Sequence, residues 1–219
     1  HPLTKDALFN RLDRQIALGA HISQQINLLG TVSNKRAIFE STIISIGSVD
    51  ESRIGDWMGA QGLGGAETNL LYRGSRDGFS SDDFHSKCDN KGHTLVIIET
   101  DTGGVVGGYA DAEWGKGEPQ MDQKHAAGNK AFLFASGLHE LGSRRHTWKS
   151  DLKSEASYAI ATNKHCGPVF GDDINYDLTV EGKTVYLNVG LSYAECYSNA
   201  EGVKQVLSCV CAIKEIEVF

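Results

Sequence analysis

Short apolar runs, most of them bounded by Gly, Asp or Asn, fill the chain after its first glycine-rich loop. Each run is four to ten residues long, which is the length of a strand rather than of a typical helix. The runs are NLLYRG, TLVIIET, VVGGYAD, KAFLFAS, SYAIAT, DLTV, KTVYLNV and VCAIKEIEVF. Many short strands with few helices predict an α+β fold that is mainly β, built as a two-sheet antiparallel β-sandwich.

The region ahead of these runs carries three further signals. The run AIFESTIISI predicts one more strand, ESRIGDWMGA predicts a short helix, and the QGLGGAE that follows predicts a loop. With 25 glycines against 3 prolines, the composition also favours many turns and β structure. We therefore assign residues 37–219 to one β-rich domain.

Residues 1–36 form a separate N-terminal unit, a helix and a linker. Apolar residues between Leu3 and Leu29 alternate at spacings of four and three with a weakened middle, which is the periodicity of an amphipathic helix. Two alternatives stay open for it. The helix packs on its own domain, or it makes a short coiled-coil contact between subunits, which would make the protein a homo-oligomer.

Charge and hydropathy argue against two classes of protein. A formal net charge of −7 disfavours a nucleic-acid binder, which would need a basic face. No apolar run approaches the ~20 residues of a membrane span, and no signal peptide is visible. Localisation stays open between the cytoplasm and the outside of the cell. The initial His1 in place of Met is typical of a processed chain and favours secretion.

The stretch LLYRGSRDGFSSDDFHSKCDN, residues 70–90, predicts a strand that turns into a helix. Ser80 is a candidate helix N-cap, with Asp83 three residues on to complete a capping box. Gly78 suits the tight corner because glycine tolerates a positive φ. Phe84 and Cys88 lie four residues apart and so share one helix face, the buried one.

Three polar residues of this stretch are not needed for capping. Arg76, Asp77 and His85 are therefore candidates for binding a ligand. The alternative is structural: Arg76 and Asp77 pair with each other or reach other loops, and His85 borders the buried face of the helix.

Five motifs in this order resemble the TLDc domain, the family of the oxidation-resistance proteins. They are LLYRGSRDGFSSDDFHSKCDNKG, TLVIIETDTGGVVGGYADAEW, NKAFLFAS, CGPVFG and EIEVF. The resemblance runs from about Ala37 to Phe219. It implies a sandwich of two antiparallel sheets with a few short helices. It also implies proteins associated with protection from oxidative stress and, in intracellular members, with binding to the vacuolar proton pump. No established catalytic constellation comes with it.

Three places depart from the family's pattern. The family usually has Pro where this chain has His93. The sequence GDDINYD replaces the usual Gly-rich run after GPxFG, and LSCVCAI stands where the family tends to have a small-residue and aromatic pattern. The last two departures indicate a specialised branch.

The loop GDDINYD places Asp173, Asn175 and Asp177 at alternate positions. Hard oxygen donors at this spacing are similar to the first half of a calcium-binding loop. The full EF-hand pattern is absent, because no Gly and no closing Glu follow at the expected positions. The alternative is a surface turn, which favours Asp and Asn without any ion. We expect no cofactor, and calcium is the one metal ion that stays open.

The cysteines predict either disulfides or buried thiols. Cys209 and Cys211 are two apart and so point to the same face of a strand, and Cys196 lies close enough in sequence to pair with either. Cys88 and Cys166 lie inside motifs that resemble the family's. All five are disulfide candidates in a secreted protein and buried thiols in a cytosolic one.

The sequence SRRHTW is locally basic in an acidic protein. Arg144, Arg145 and Trp148 are candidates for contacting an anionic partner or a sugar. The alternative is a solvated strand or loop.

These observations favour a non-catalytic interaction protein whose partner is a protein or a glycan. Its expected role is the family's, protection from oxidative stress or defence. One alternative is a secreted recognition protein, a lectin or a defence factor, with its dependence on calcium left open. An enzyme or redox-active protein that uses Cys88 or the C-x-C pair, Cys209 and Cys211, is the least favoured.

Overall fold

The computed structural model describes residues 38–115, 130–137, 148–151, 160–161, 163–171, 176–189 and 207–219. Contacts group the part from Ile38 to Phe219 into one compact unit. The helix predicted within residues 3–29 lies outside the described residues, so its two alternatives stay predictions. No helix in the described ranges is long and apolar enough to cross a membrane.

Helices occupy two short regions of the described chain. Helix α1 spans Val49–Met58 and continues into a π-helical turn, Gly59–Leu63. Helix α2 spans Gly74–Asp77 and helix α3 spans Ser81–Cys88. The short helix predicted from ESRIGDWMGA is therefore present. It begins two residues earlier because the Ser48 hydroxyl accepts the Glu51 N–H at 3.1 Å and caps it.

Ten strands are described, and every pairing between them is antiparallel. They are β1 Tyr72–Arg73, β2 Thr94–Thr100, β3 Val105–Ala110, β4 Phe132–Ser136, β5 Trp148–Asp151, β6 Ile160–Ala161, β7 Val169–Gly171, β8 Tyr176–Glu181, β9 Thr184–Val189 and β10 Leu207–Val218. Nine of them follow one hydrogen-bonded path, β5-β4-β3-β2-β10-β9-β8-β7-β6, and β1 pairs with β10. The predicted mainly β, antiparallel fold with short helices is confirmed. The strands form one continuous path, whereas two separate sheets were predicted.

Strand β10 joins the two halves of this path. Its first six residues pair with β9, and its last residues lie between β1 and β2. The register shifts between Ile213 and Glu215, as it does at a β-bulge. In a regular strand, odd-numbered and even-numbered residues point to opposite faces. Because of the shift, Cys211 before it and Ile216 after it belong to the same core cluster. One strand thus supplies the core in both halves.

Strand β2 is buried on both faces. Val96 and Ile98 belong to the core cluster that also contains residues of β7, β8 and β9. Leu95 and Ile97 belong to a second cluster, with residues of helix α1 and the segment ahead of it. A strand covered on both sides has no solvent face, so TLVIIET is a nearly continuous apolar run rather than an alternating one.

Two adjacent glycines in β3 let large rings approach the sheet from both sides. A Cβ atom on Gly107 would lie 2.7 Å from the Phe134 ring, and one on Gly108 would lie 2.7 Å from the Phe170 ring. Phe170, in β7, also packs edge-on against Trp114 at 5.5 Å between centroids. These contacts bring the two halves of the strand path together through one core.

The strand predicted from AIFESTIISI is wrong, because its described residues adopt bends and turns. Side chains, not a neighbouring strand, accept the hydrogen bonds of several backbone N–H groups in this segment. The Ile38 N–H donates to the Glu51 carboxylate at 2.9 Å, and the Thr42 N–H donates to Glu217 at 3.1 Å. The Ser41 hydroxyl accepts from the two backbone N–H groups of residues 43 and 44. Ser and Thr side chains that satisfy nearby backbone groups compete with regular structure in this way.

Candidate functional site

The strand-to-helix corner at residues 72–88 contains the predicted strand and the predicted capped helix, and between them lies helix α2, which was not predicted. Ser80 caps α3: its hydroxyl accepts from the Asp83 N–H at 3.2 Å, and the Asp83 carboxylate accepts from the Ser80 N–H at 3.0 Å. Gly78 has a φ of 107°, a backbone conformation that residues other than glycine rarely adopt. Phe84 and Cys88 are both buried on the inner face of the helix. The predicted capping box, corner and buried face are confirmed.

Arg76 and Asp77 form a surface ion pair. The Arg76 guanidinium contacts the Asp77 carboxylate at 2.7 Å and also donates to the backbone oxygen of Leu71 at 3.0 Å. The same carboxylate accepts the Arg73 N–H at 2.9 Å, and the Lys87 ammonium lies 3.9 Å away. The hydrogen bond from Arg76 is the main cause that lowers the pKa of Asp77. Asp77 is thereby occupied on both oxygens by its own domain.

His85 is buried and directed elsewhere. Its Nδ1 lies 2.7 Å from the Asp89 carboxylate, and its Nε2 lies 3.1 Å from the backbone oxygens of both Asn163 and Cys166. Carbonyl oxygens only accept, so Nε2 donates to them, while Nδ1 lies against the Asp89 carboxylate. His85 therefore fastens α3 to the turn that precedes β7. No described contact joins it to Arg76 or Asp77.

A second polar centre at this corner was not predicted from the sequence. The Glu217 carboxylate in β10 is fully buried and accepts from the Nε of Arg73 at 2.9 Å and from the Thr42 hydroxyl at 2.8 Å. Ser41 donates a further hydrogen bond to it. The signal for this centre is a glutamate inside the apolar run EIEVF, where a charge needs a buried partner.

The ionisation of Glu217 reflects two opposing effects. Burial pushes its pKa upward, because the charged form loses water. Hydrogen bonds from Ser41, Thr42 and Arg73 outweigh burial, and the net pKa lies below its ordinary value. Glu217 is thus held as a carboxylate that ties the segment around residue 41, strand β1 and strand β10 together.

Three of the four described cysteines are buried, and Cys166 is half-buried. No disulfide joins any two of Cys88, Cys166, Cys209 and Cys211, and Cys196 lies outside the described residues. Burial raises the pKa of the Cys88 thiol well above its ordinary range. Burial and, to a smaller extent, Glu181 raise the pKa of Cys166. The two cysteines of the C-x-C pair face the same core, as predicted from their spacing.

The remaining candidates fall largely outside the described residues. Arg144, Arg145, Asp173 and Asn175 are not described, and only the backbone of Trp148 is, at the start of β5. Asp177 is described and is fully buried in β8. Within the described ranges no group of three or more His, Cys, Asp or Glu side chains is arranged to hold a metal ion. The calcium site and the basic contact patch therefore stay predictions.

A cavity of about 210 Å³ lies beside the corner, between the chain after helix α1 and the start of β2. Thirteen residues line it, among them Leu95, Tyr109 and Phe219 of the second core cluster. Lys91 and His93 line it as well, and both are exposed. None of Arg76, Asp77 and His85 does.

Comparison with known proteins identifies the family. A family model described as the TLDc domain matches residues 30–219. A search of curated proteins found no match. The matched region contains the corner, the Glu217 centre and every described strand. The chain belongs to the TLDc domain family.

Proposed function

We propose that this chain is a non-catalytic interaction protein that protects against oxidative stress by binding a protein partner, not by destroying an oxidant. One observation carries the proposal: the candidate polar residues of the corner are occupied by contacts within the domain. Asp77 accepts from Arg73 and Arg76, and both ring nitrogens of His85 face acceptors of the same domain. A general acid, base or nucleophile needs a group that can reach a substrate.

The state of the thiols supports the same proposal. Reaction with a peroxide requires a thiolate that is accessible to solvent. Cys88 is fully buried, and burial raises its pKa, so it is held as an unreactive thiol. Cys209 and Cys211 are buried in the core. A scaffold of this kind leaves recognition to its surface loops.

The test separates protection from oxidant turnover. Cells that express the chain are challenged with hydrogen peroxide, and the purified protein is assayed for peroxide consumption. We expect improved survival together with peroxide loss no faster than in buffer. Cells that express the Cys88→Ser/Cys166→Ser variant should survive as well as those with the unmodified chain.

Two results would overturn the proposal. Cysteine-dependent peroxide consumption by the purified protein would make the chain a redox enzyme. An unchanged survival curve, at matched expression of a folded protein, would remove the protective role.

A further inference from the structure

The cavity beside the corner has an apolar, aromatic wall. Leu95 of β2, Tyr109 of β3 and Phe219 form part of it, and each is almost fully buried. Met58 and Leu63, partly buried at the end of α1 and in the π-helical turn, also line it. Sites for small organic ligands combine such an apolar wall with a few polar groups that orient the ligand.

Two basic side chains stand at this cavity. Lys91 and His93 line it from the loop that leads into β2, and both are exposed. Within the described part of the chain, no hydrogen bond or ion pair engages the Lys91 ammonium. A cation beside an apolar wall favours an anionic group on an apolar body.

The contact between His93 and Tyr109 orients the His93 ring, which can then offer a second hydrogen-bond donor to a ligand. The Nδ1 of His93 lies 2.5 Å from the Tyr109 hydroxyl. Burial raises the pKa of Tyr109 to about 12, so the hydroxyl keeps its proton at neutral pH and needs an acceptor. When Nδ1 accepts the hydrogen bond from this hydroxyl, the N–H of the ring lies on Nε2. His93 then presents an N–H donor on the side away from Tyr109.

We propose that this cavity binds a small organic carboxylate with a single flat apolar ring, held by Lys91 and His93 at the carboxylate and by Leu95, Tyr109 and Phe219 at the ring. The volume sets the size class. About 210 Å³ is below the roughly 300–1,000 Å³ of pockets for drug-sized molecules, so the ligand is smaller than those. The site is separate from the corner residues on which the proposed function rests.

One lining residue is acidic and favours a cationic ligand, so the test compares ligands of both charges. Glu67 also lines the cavity and is exposed. If Glu67 dominated the local field, the cavity would prefer a cation. A pair of probes of the same shape and opposite charge distinguishes the two cases.

The experiment follows binding of 4-fluorophenylacetate and of 4-fluorophenethylamine to the full chain by ¹⁹F NMR. Lys91→Met removes the cation, and Lys164→Met makes the same change at an exposed lysine outside the cavity. Ala66→Phe adds a ring at the exposed rim, where it narrows the cavity without entering the core. Thermal melting curves establish that each variant is folded.

We expect saturable binding of the carboxylate and at least fivefold weaker binding of the amine. An exposed charge contact accounts for a factor of about five, so Lys91→Met should weaken carboxylate binding by roughly fivefold and Lys164→Met should leave it unchanged. Ala66→Phe should weaken it at least as much as Lys91→Met.

Three outcomes would overturn the proposal: no saturable binding of the carboxylate, tighter binding of the amine, or equal binding by the two lysine variants. None of them bears on cell survival under peroxide. Failure of this site and failure of the proposed function are therefore distinguishable.

Discussion

The Arg73 guanidinium in β1 and the Glu217 carboxylate in β10 form an ion pair of 2.8 Å, and the Nε of Arg73 adds a hydrogen bond of 2.9 Å to the same oxygen. The Glu217 side chain is fully buried, whereas Arg73 keeps 23% of its side-chain exposure. Glu217 is therefore a buried negative charge, and its positive partner, Arg73, is partly exposed. Ser41 and Thr42 donate the remaining hydrogen bonds that make burial of the charge tolerable.

Replacing Glu217 should destabilise the domain much more than replacing an exposed glutamate. Glu217→Gln keeps the shape but removes the charge that Arg73, Ser41 and Thr42 share. Hydrogen bonds to charged groups are the stronger class, so we expect a loss of about 2–3 kcal/mol in the free energy of unfolding, measured by urea denaturation. Glu40→Gln, the same change at an exposed site, should cost less than 0.5 kcal/mol by the rule for surface substitutions, roughly. Equal midpoints and slopes for the two variants would contradict the assigned role.

The contribution of Glu217 should depend on pH in a defined direction. Its pKa in the folded protein lies below the ordinary value, so the unfolded chain binds the proton more readily than the folded one does. The stabilisation is complete above the unfolded pKa, about 4.3, and is lost as the pH falls through the folded pKa. The stability gap between the unmodified chain and Glu217→Gln should be constant from pH 7 to about pH 5 and then narrow at lower pH. A gap that widened on acidification would have the wrong sign.

Cys88 should resist alkylation in the native protein. It is fully buried, and burial raises its pKa, so both access and thiolate are lacking. Iodoacetamide at pH 8, read by peptide mass spectrometry, should modify Cys88 only after unfolding in urea. Cys166, which is only half-buried, should react faster than Cys88 in the native state. Fast native labelling of Cys88 would also weaken the proposed function.

Gly78→Ala should destabilise the corner more than Gly92→Ala does. Both glycines have a positive φ, where a side chain strains the backbone by roughly 1–3 kcal/mol. A Cβ on Gly78 would also collide with the Asp83 carboxylate, whereas one on Gly92 meets no atom within 4 Å. Gly78→Ala should therefore show the larger fall in melting temperature. Equal shifts for the two variants would mean that the Asp83 side chain can move away from the added methyl group at no cost in stability.

Removing the His85 imidazole should loosen the contact between α3 and the turn before β7. His85→Leu leaves the Asp89 carboxylate and the backbone oxygens of Asn163 and Cys166 without this donor. A fully buried group left unsatisfied costs about 1–3 kcal/mol, and these acceptors are partly buried, so we expect a loss of about 1–2 kcal/mol in urea denaturation. His165→Leu makes the same change at an exposed histidine and serves as the control. Faster hydrogen exchange in residues 163–166 of His85→Leu would locate the effect.

Local signals predicted the corner and several strands well. Ser80 and Asp83 lie three residues apart, so the capping box depends on neighbours in sequence and could be recognised there. The run TLVIIET coincides with β2, Thr94–Thr100, because burial on both faces makes a strand plainly apolar. Strand bounds were less accurate where a turn intervened, as in β1, which ends at Arg73 because α2 begins at Gly74.

Long-range partners were beyond the sequence. Arg73 and Glu217 are separated by 144 positions, and neither residue indicates the other. The segment AIFESTIISI has strand-like composition, yet Glu217 and Glu51 capture its backbone groups and hold it in turns. The cavity is equally non-local, since it is bounded by the chain after α1, by β2 and by Phe219. Spatial convergence of this kind leaves no periodic trace along a single chain.

Strand β10 is the last described strand in the chain, and it lies in the middle of the strand path. Until residues 207–218 have left the ribosome, β2 lacks one neighbour and β9 lacks another. During synthesis, strands β2–β5 and strands β6–β9 therefore each have an unpaired edge where β10 will lie. Unpaired edges favour unwanted pairing between chains. Completion of this strand path is therefore an event that follows translation of residues 207–218, and a stop codon just ahead of residue 207 should be as damaging as one early in the domain.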